Sequence, residues 1–304
     1  MRPHPPSQDP ALLPTAGLAS AIARFAQSDG DYPTTVPGLS LHRRKGRTEP
    51  LHCIFSLGLG VVAQGHKQVL LGEKVINYGP GQSMLTTIDL PVISHVTEAS
   101  VDKPLLGLML TLDSRLITQK ASEMQLPPLP RQPVCHPMTI EALDERLIAD
   151  LIRLVELLDQ PALAPNLAPL IQQEIVLRLL AGPHGPQLQR LAATGSPSQQ
   201  IAKAVAWLKQ HFSKPLLIDD LATRVHMSPS TFRQHFRAIT GTSPLQYQKQ
   251  LRLQEARQLM LNQSIDAGSA GALVGYESAS QFSREYARLF GTPPLQDARR
   301  LRVS

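Results

Sequence analysis

The sequence predicts an α+β protein, with strands concentrated in its first half and an all-helical final third. Three observations predict this. Between residues 53 and 112, short apolar or β-branched runs are punctuated at close, regular spacing by glycine and proline, the pattern of an antiparallel sandwich or barrel. From residue 113 onwards the apolar residues recur at helical spacing, so each of those segments has one face to bury. A stretch near residues 228–246 recurs fifty residues later, and a single shared offset marks duplication of one structural unit.

Residues 1–10 are rich in proline and are expected to be disordered. Ala11 to Ala26 reads as an amphipathic helix with Leu18, Ile22 and Phe25 on one face. Ala19-Ser20-Ala21 mimics a signal cleavage site, but Pro14 and Arg24 interrupt the apolar run, which is too short to span a membrane. Ser28-Asp29-Gly30-Asp31 is a turn cluster, and Pro33 to Pro37 is extended. The expected strands are Cys53–Ala63, Lys67–Leu71, Ser83–Ile88, Val92–Thr97 and Leu105–Leu112, separated by Gly65, Gly72, Gly79-Pro80-Gly81 and Pro91.

Three helices follow. Asp113 caps a helix running to Met124. Residues 138–159 carry a wide stripe of Leu143, Leu147, Ile148, Leu151, Leu154, Val155 and Leu158, and residues 166–181 carry Leu170, Ile171, Ile175, Val176, Leu179 and Leu180. Stripes this wide must be covered, by the strand domain or by a partner subunit. Gly182-Pro183-His184-Gly185-Pro186 ends the last of them, and Ala193 to Ser198 reads as an interdomain linker. The expected division is therefore an arm and helix over residues 1–27, a strand-rich domain with its helical segment over 28–182, a linker over 183–198, and a helical domain over 199–304.

Charge is unevenly placed. The net charge is +6, yet residues 196–304 carry 14 Lys/Arg against 7 Asp/Glu, whereas residues 1–195 carry 16 against 17. A basic surplus confined to the duplicated region is the electrostatic footprint of a nucleic-acid partner, whose phosphates such a surface neutralises. Cys53 and Cys135 form neither a disulfide framework nor a zinc pattern, which fits a reducing cytoplasm.

Each copy of the duplicated unit opens on a helix start signal. Ser228 and Ser278 cap, and Pro229 suits the first helical position. Phe232, Phe236 and Ile239 form the buried stripe of the first copy; Phe282, Tyr286 and Leu289 form that of the second. The outward residues are Ser230, Thr231, Arg233, Gln234 and Arg237 in one, and Ala279, Ser280, Gln281, Ser283, Arg284 and Arg288 in the other. Donors and cations on one face suit phosphates and base edges in a major groove. A short helix and a tight turn precede each, so residues 217–240 and 265–290 read as two helix-turn-helix motifs. Gly268 and Gly271 weaken the first helix of the second motif by up to ~1 kcal/mol each. Residues 243–261 form a connecting helix, apolar on two sides, that would hold both recognition helices for successive major-groove turns roughly 34 Å apart.

Val274-Gly275-Tyr276-Glu277-Ser278-Ala279-Ser280-Gln281-Phe282-Ser283-Arg284-Glu285-Tyr286, ending Phe290-Gly291-Thr292-Pro293-Pro294, closely resembles the second motif of the AraC/XylS transcription regulators. Leu251-Arg252-Leu253 with Glu255-Ala256-Arg257 resembles the linker helix of that family. Val62 to Lys67, Leu71-Gly72-Glu73, Tyr78 to Gly81, Asp89 to Val92 and Lys103-Pro104-Leu105 resemble the cupin-like amino-terminal barrel found in one subgroup. The resemblance implies a cytoplasmic regulator that binds operator or promoter DNA and has a small-molecule effector. It implies a homodimer and, where it activates, contact with RNA polymerase.

Pocket candidates for an effector are Gln64, His66, Tyr78 and His95. The alternative is a cupin-type small-molecule enzyme carrying a basic accessory domain. His42, His52, His66, His95 and His136 never fall at the His-x-His spacing that cupin metal sites use. No nucleophile motif, phosphate loop or dinucleotide fingerprint is present. The expectation is therefore no catalytic residue, no metal and no cofactor.

Overall fold

The computed structural model describes residues 12–129 and 136–303. The proline-rich residues 1–10 and Cys135 lie outside the described residues. Ten strands follow helix α1 (Leu12–Phe25) or intersperse with later helices: β1 (Gly30–Pro33), β2 (Leu39–Arg44), β3 (Leu51–Phe55), β4 (Gly58–Gln64), β5 (His66–Leu71), β6 (Lys74–Tyr78), β7 (Gln82–Thr86), β8 (Leu90–Glu98), β9 (Leu105–Thr111) and β10 (Met138–Ala142). Helices α2 (Ser114–Glu123), α3 (Glu145–Glu156), α4 (Ala164–Ala181) and α5 (Gly185–Ala192) complete the amino-terminal part. The carboxy-terminal part is α6 (Pro197–His211), α7 (Ile218–Arg224), α8 (Pro229–Thr240), α9 (Pro244–Asn262), α10 (Ala267–Leu273), α11 (Ala279–Phe290) and α12 (Pro294–Val303). Two compact units divide between Thr194 and Gly195, the second also taking in His52–Ile54 and Asp89–Val92.

The strands form a six-stranded sheet in the order β1-β2-β9-β4-β7-β10 and a four-stranded sheet in the order β3-β8-β5-β6. The fold is thus α+β with a strand-built first domain, and its ladders form two sheets rather than one closed barrel. Residues of the two inner faces meet. A methyl group at Gly60 would stand 3.2 Å from Met84 Cε, 3.4 Å from Met109 Cε and 3.7 Å from the Tyr78 hydroxyl. The other face of the large sheet is covered by helix. Leu18 and Ile22 of α1 are fully buried, and α1 packs on β4, β9 and α3. This double coverage is why β4 is buried along nearly its whole length instead of alternating.

His184, in the turn between α4 and α5, shows how the helices are fastened to that sheet. Its ring nitrogens lie 2.9 Å from the Ser83 hydroxyl of β7 and 3.1 Å from the Thr139 hydroxyl of β10. Burial pushes its pKa down to about 4, so it sits there as a neutral imidazole able to donate from one nitrogen and accept at the other.

Four local expectations are corrected. Residues 53–63 are two strands, not one: Ser56 and Leu57 turn the chain, and β3 and β4 belong to different sheets. Gly30 and Asp31, expected in a turn, open β1, where they pair with Arg43 and His42. The Asp31 carboxylate accepts from His42 Nδ1 and from the Arg44 guanidinium, each at 2.7 Å, and the His42 bond first of all holds its pKa well below the ordinary range. Residues 138–159 are not one helix. Met138–Ala142 pairs antiparallel with β7, and α3 starts only where the Asp144 carboxylate accepts from the amides of Arg146 and Leu147. A cap stops helix propagation backwards, and a sheet edge claims the residues before it. Within residues 183–198, Gly185–Ala192 is helical, with Leu188 buried.

Candidate nucleic-acid interface

Both helix-turn-helix motifs are present, and they are built alike. Helices α8 and α11 each have twelve residues, and α7 and α10 each have seven. Ser228 caps α8 by accepting from the Thr231 amide at 3.3 Å, and Ser278 caps α11 by accepting from the Gln281 amide at 3.3 Å. Gly241 and Gly291 end the two helices in left-handed conformation, at φ 77° and 76°. In the turns, the corresponding left-handed residue is His226 (φ 55°) in the first motif and Gly275 (φ 90°) in the second.

In the first motif Phe232, Phe236 and Ile239 are buried under α6, α7 and the start of α9. Phe236 meets Tyr247 edge-on with ring centroids 5.5 Å apart. Fifty residues on, Tyr286 stands where Phe236 does and Asp297 where Tyr247 does. There the aromatic contact is replaced by a hydrogen bond: the Tyr286 hydroxyl donates to Asp297 Oδ2 at 2.9 Å. Asp297 is 0 % exposed and is held by Arg257 of α9 at 2.8 and 3.2 Å, with Arg300 at 3.1 Å. Burial opposes its ionisation, yet hydrogen bonds from Arg257 and Tyr286 and the Arg257 charge hold its pKa below the usual carboxylate value. A buried carboxylate therefore pins recognition helix α11 to α9 and α12.

The expected weakness of α10 is offset by packing. Asp266 caps it through the amides of Gly268 and Ser269. A Cβ at Gly271 would stand 2.9 Å from the Phe282 ring, so glycine is what lets α10 lie against α11.

The outward faces are as the periodicity predicts. Ser228, Ser230, Thr231, Arg233, Gln234 and Arg237 are exposed on the first motif; Ser278, Ala279, Ser280, Gln281, Ser283, Arg284 and Arg288 are exposed on the second. Arg237, Arg284 and Arg288 enter no ion pair among the described residues, and Arg233 only approaches Asp219 at 3.9 Å. The one acid on either recognition helix, Glu285 of α11, is turned inward to the Tyr276 hydroxyl (2.9 Å) and Lys249 Nζ (3.0 Å). Each face is thus left with cations and neutral donors, able to neutralise phosphate and to form forked contacts to guanine.

The four effector candidates stand on β4, β5, β6 and β8. Tyr78 is buried between the sheets. Gln64 donates to the Pro104 carbonyl at 2.7 Å. His66 is half-exposed, its Nδ1 2.9 Å from Glu98 Oε2. His95 lies on the opposite side of β8 from the buried Ser94. His95 Nδ1 is itself buried with no hydrogen-bond partner among the described residues, and so are two other groups, the hydroxyls of Thr86 and Ser94. Their positions mark them only as small residues in apolar strands, which is why composition did not single them out. Among the described residues, no group of three or more His, Cys, Asp and Glu side chains is placed to hold a metal ion. No described helix is long and apolar enough to cross a membrane.

Sequence and structure comparisons agree with this arrangement. Residues 35–187 match the family model of the AraC-type transcriptional regulator N-terminus, and residues 221–300 match a helix-turn-helix domain model. The chain is 28% identical over 133 residues to the HTH-type transcriptional regulator ArgR of Pseudomonas aeruginosa, which covers 43% of this chain and 40% of that one. It is 36% identical over 85 residues to the RCS-specific HTH-type transcriptional activator RclR of Escherichia coli, covering 28% and 30% of the two chains. These matches span less than half of each relative. The fold resembles that of apo ToxT from Vibrio cholerae, with a TM-score of 0.59 over 88% of this chain and 98% of that one at 9% identity.

Proposed function

The chain belongs to the AraC-type transcriptional regulators, and from that premise we propose that it reads a specific operator with α8 and α11 under control of its strand-built domain. The observation that carries the proposal is the pair of matched, acid-free outer faces on two identically capped helices. Arg233, Gln234 and Arg237, with Ser228, Ser230 and Thr231, contact one half-site. Arg284, Gln281, Ser280, Ser283 and Arg288, with Ser278 and Ala279, contact the other. Backbone amides and the remaining basic residues clamp the phosphates.

The control domain senses a small molecule between its two sheets. Tyr78, and the hydroxyls of Thr86 and Ser94 that lack partners among the described residues, are buried polar groups that could meet it, and Gln64, His66 and His95 are the further candidates. A cytoplasmic homodimer acting mainly as an activator, through RNA polymerase, is the form this takes in our proposal.

Selection of random duplexes by the full-length protein at fixed salt tests this. The expected outcome is a motif of two elements about one helical turn apart, with affinity that falls steeply as salt rises. Recovery of one element alone would remove α8 or α11 from base reading. Salt-sensitive binding to all duplexes, made selective by a compound that also raises the melting temperature, would show that the effector is required. Indiscriminate binding that no compound alters would sink the proposal.

A further inference from the structure

The two motifs are joined by more than the connecting helix. One turn of α9 grips the carboxy-terminal end of α6. Arg252 donates from Nε to the Phe212 carbonyl at 2.6 Å and from Nη2 to the carbonyls of Ser213 and Lys214 at 3.2 and 3.0 Å. Gln248, one turn earlier on the same face, donates to Phe212 and Lys214 at 2.9 and 2.7 Å. Phe212 is the C-cap of α6 and Ser213 and Lys214 follow it, so these carbonyls stand just past its negative end. From Nη1 the same guanidinium donates to the Gly275 carbonyl at 2.9 Å. Gly275 is the turn residue of the second motif. Its backbone lies so close to the segment between α6 and α7 that a Cβ there would stand 2.1 Å from the Ser213 carbonyl oxygen. Tyr276 follows, with its ring beside Arg252 at 5.9 Å and its hydroxyl on Glu285 of α11. Lys249 of α9 binds the same carboxylate.

The chain of contacts therefore runs from the end of α6, through Arg252 and Gly275, to recognition helix α11. Arg252 meets no carboxylate in it: its fork is spent on four carbonyls, three at and just after the end of α6 and one in the turn of the second motif. Only a guanidinium presents enough donors in a fixed plane for that; a lysine ammonium would satisfy part of the set and leave the rest.

We infer that Arg252, with Gly275 packed on Ser213, is a positioning element that sets the separation and rotational phase of α8 and α11, so that both enter DNA only at one half-site spacing. This rests on the two-helix reading proposed above. Without the seam, the second motif would be carried by α9 alone. A shift of one base pair turns a half-site about 34° around the duplex, and a rigid seam makes the protein intolerant of it.

The test uses the full-length chain and the two-element duplex recovered by selection, with one and two base pairs inserted or deleted between the elements, and a duplex bearing one element. Binding is followed by fluorescence anisotropy for the native chain and for Arg252→Ala, Arg252→Lys, Gln248→Ala and Gly275→Ala, with melting curves as the control for folding. Expected is a steep spacing dependence in the native chain. Arg252→Ala and Gly275→Ala should bind the native spacing about tenfold or more weakly, bind the single element nearly as before, and lose most of the spacing dependence. Arg252→Lys should restore little of it. Should Arg252→Ala fail to fold, Arg252→Lys and Gln248→Ala carry the same comparison.

Variants that keep the native spacing profile would overturn the inference. So would an equal loss on one-element and two-element duplexes that lysine restores, since that is the signature of a phosphate contact. If the native chain itself ignores spacing, the two-helix reading fails, and this inference with it.

Discussion

At the residue scale, what matters on each recognition helix is which cations are left unengaged. Arg284 lies on the exposed face of α11 with no ion-pair partner among the described residues, while its neighbour Glu285 is drawn inward by Lys249 and Tyr276. A guanidinium held this way can meet guanine O6 and N7 together, a pairing worth ~1–3 kcal/mol in discrimination. Arg284→Ala should therefore relax preference at one base pair of the selected site and leave the other positions as they were. Competition binding against single-base variants of the duplex measures this. A uniform loss on every sequence would mean that Arg284 holds a phosphate. These outward residues were legible in the sequence because Phe282 and Tyr286 fix the buried stripe and leave the rest outside. Arg252 was not, since the family resemblance places it on the linker helix but nothing in its spacing tells that it grips carbonyls forty residues away.

At the scale of the element, α11 depends on a buried charge. Asp297 is fully enclosed with Arg257, itself 5 % exposed. Replacing Asp297 by alanine would strand that guanidinium in the core, and the expected loss of stability is about 3–5 kcal/mol. Because the folded carboxyl has a lowered pKa, its contribution is complete above the ordinary aspartate value near 3.9. It is lost as pH falls below that, through the folded value. Denaturant melts of the native chain and Asp297→Asn from pH 7 down to pH 3 check both statements. The native chain should lose stability at the acid end, and the difference between the two should shrink there; a constant difference across the range would contradict the account. The duplication made this element readable from sequence, but it also hid the substitution of chemistry inside it. Tyr247 and Asp297 hold equivalent positions, one closing an aromatic core and the other an ion pair, and only the partners around them distinguish the two.

At the scale of the whole molecule, the strand-built unit leaves one apolar stripe uncovered. Leu163, Leu167 and Leu170 are 50, 37 and 59 % exposed; they stand at the start of α4, at spacings that place them on one side. Contiguous exposed leucines of this kind suit a protein partner, and the homodimer proposed above would place a second copy of the chain there. Sedimentation should then give twice the 33.2 kDa of one chain, and Leu170→Lys should give a single chain with its melting behaviour at low concentration preserved. A native chain that sediments at 33.2 kDa would leave the stripe to some other purpose.

Some features of this protein are decided by local chemistry. Apolar spacing, serine caps, turn glycines and the fifty-residue repeat are written in consecutive residues, and they determine the α+β class, both helix-turn-helix motifs and their outward faces. Others depend on partners distant in the chain. Whether Met138–Ala142 becomes strand or helix is settled by the free edge of β7. Whether Gly271 weakens α10 or admits Phe282 is settled by how close α11 lies. Whether the strands close or form two sheets is settled by which ladders pair across tens of residues. Long-range pairing decides these cases because a backbone group or a small side chain has no preference strong enough to prevail over the neighbour that packing brings to it.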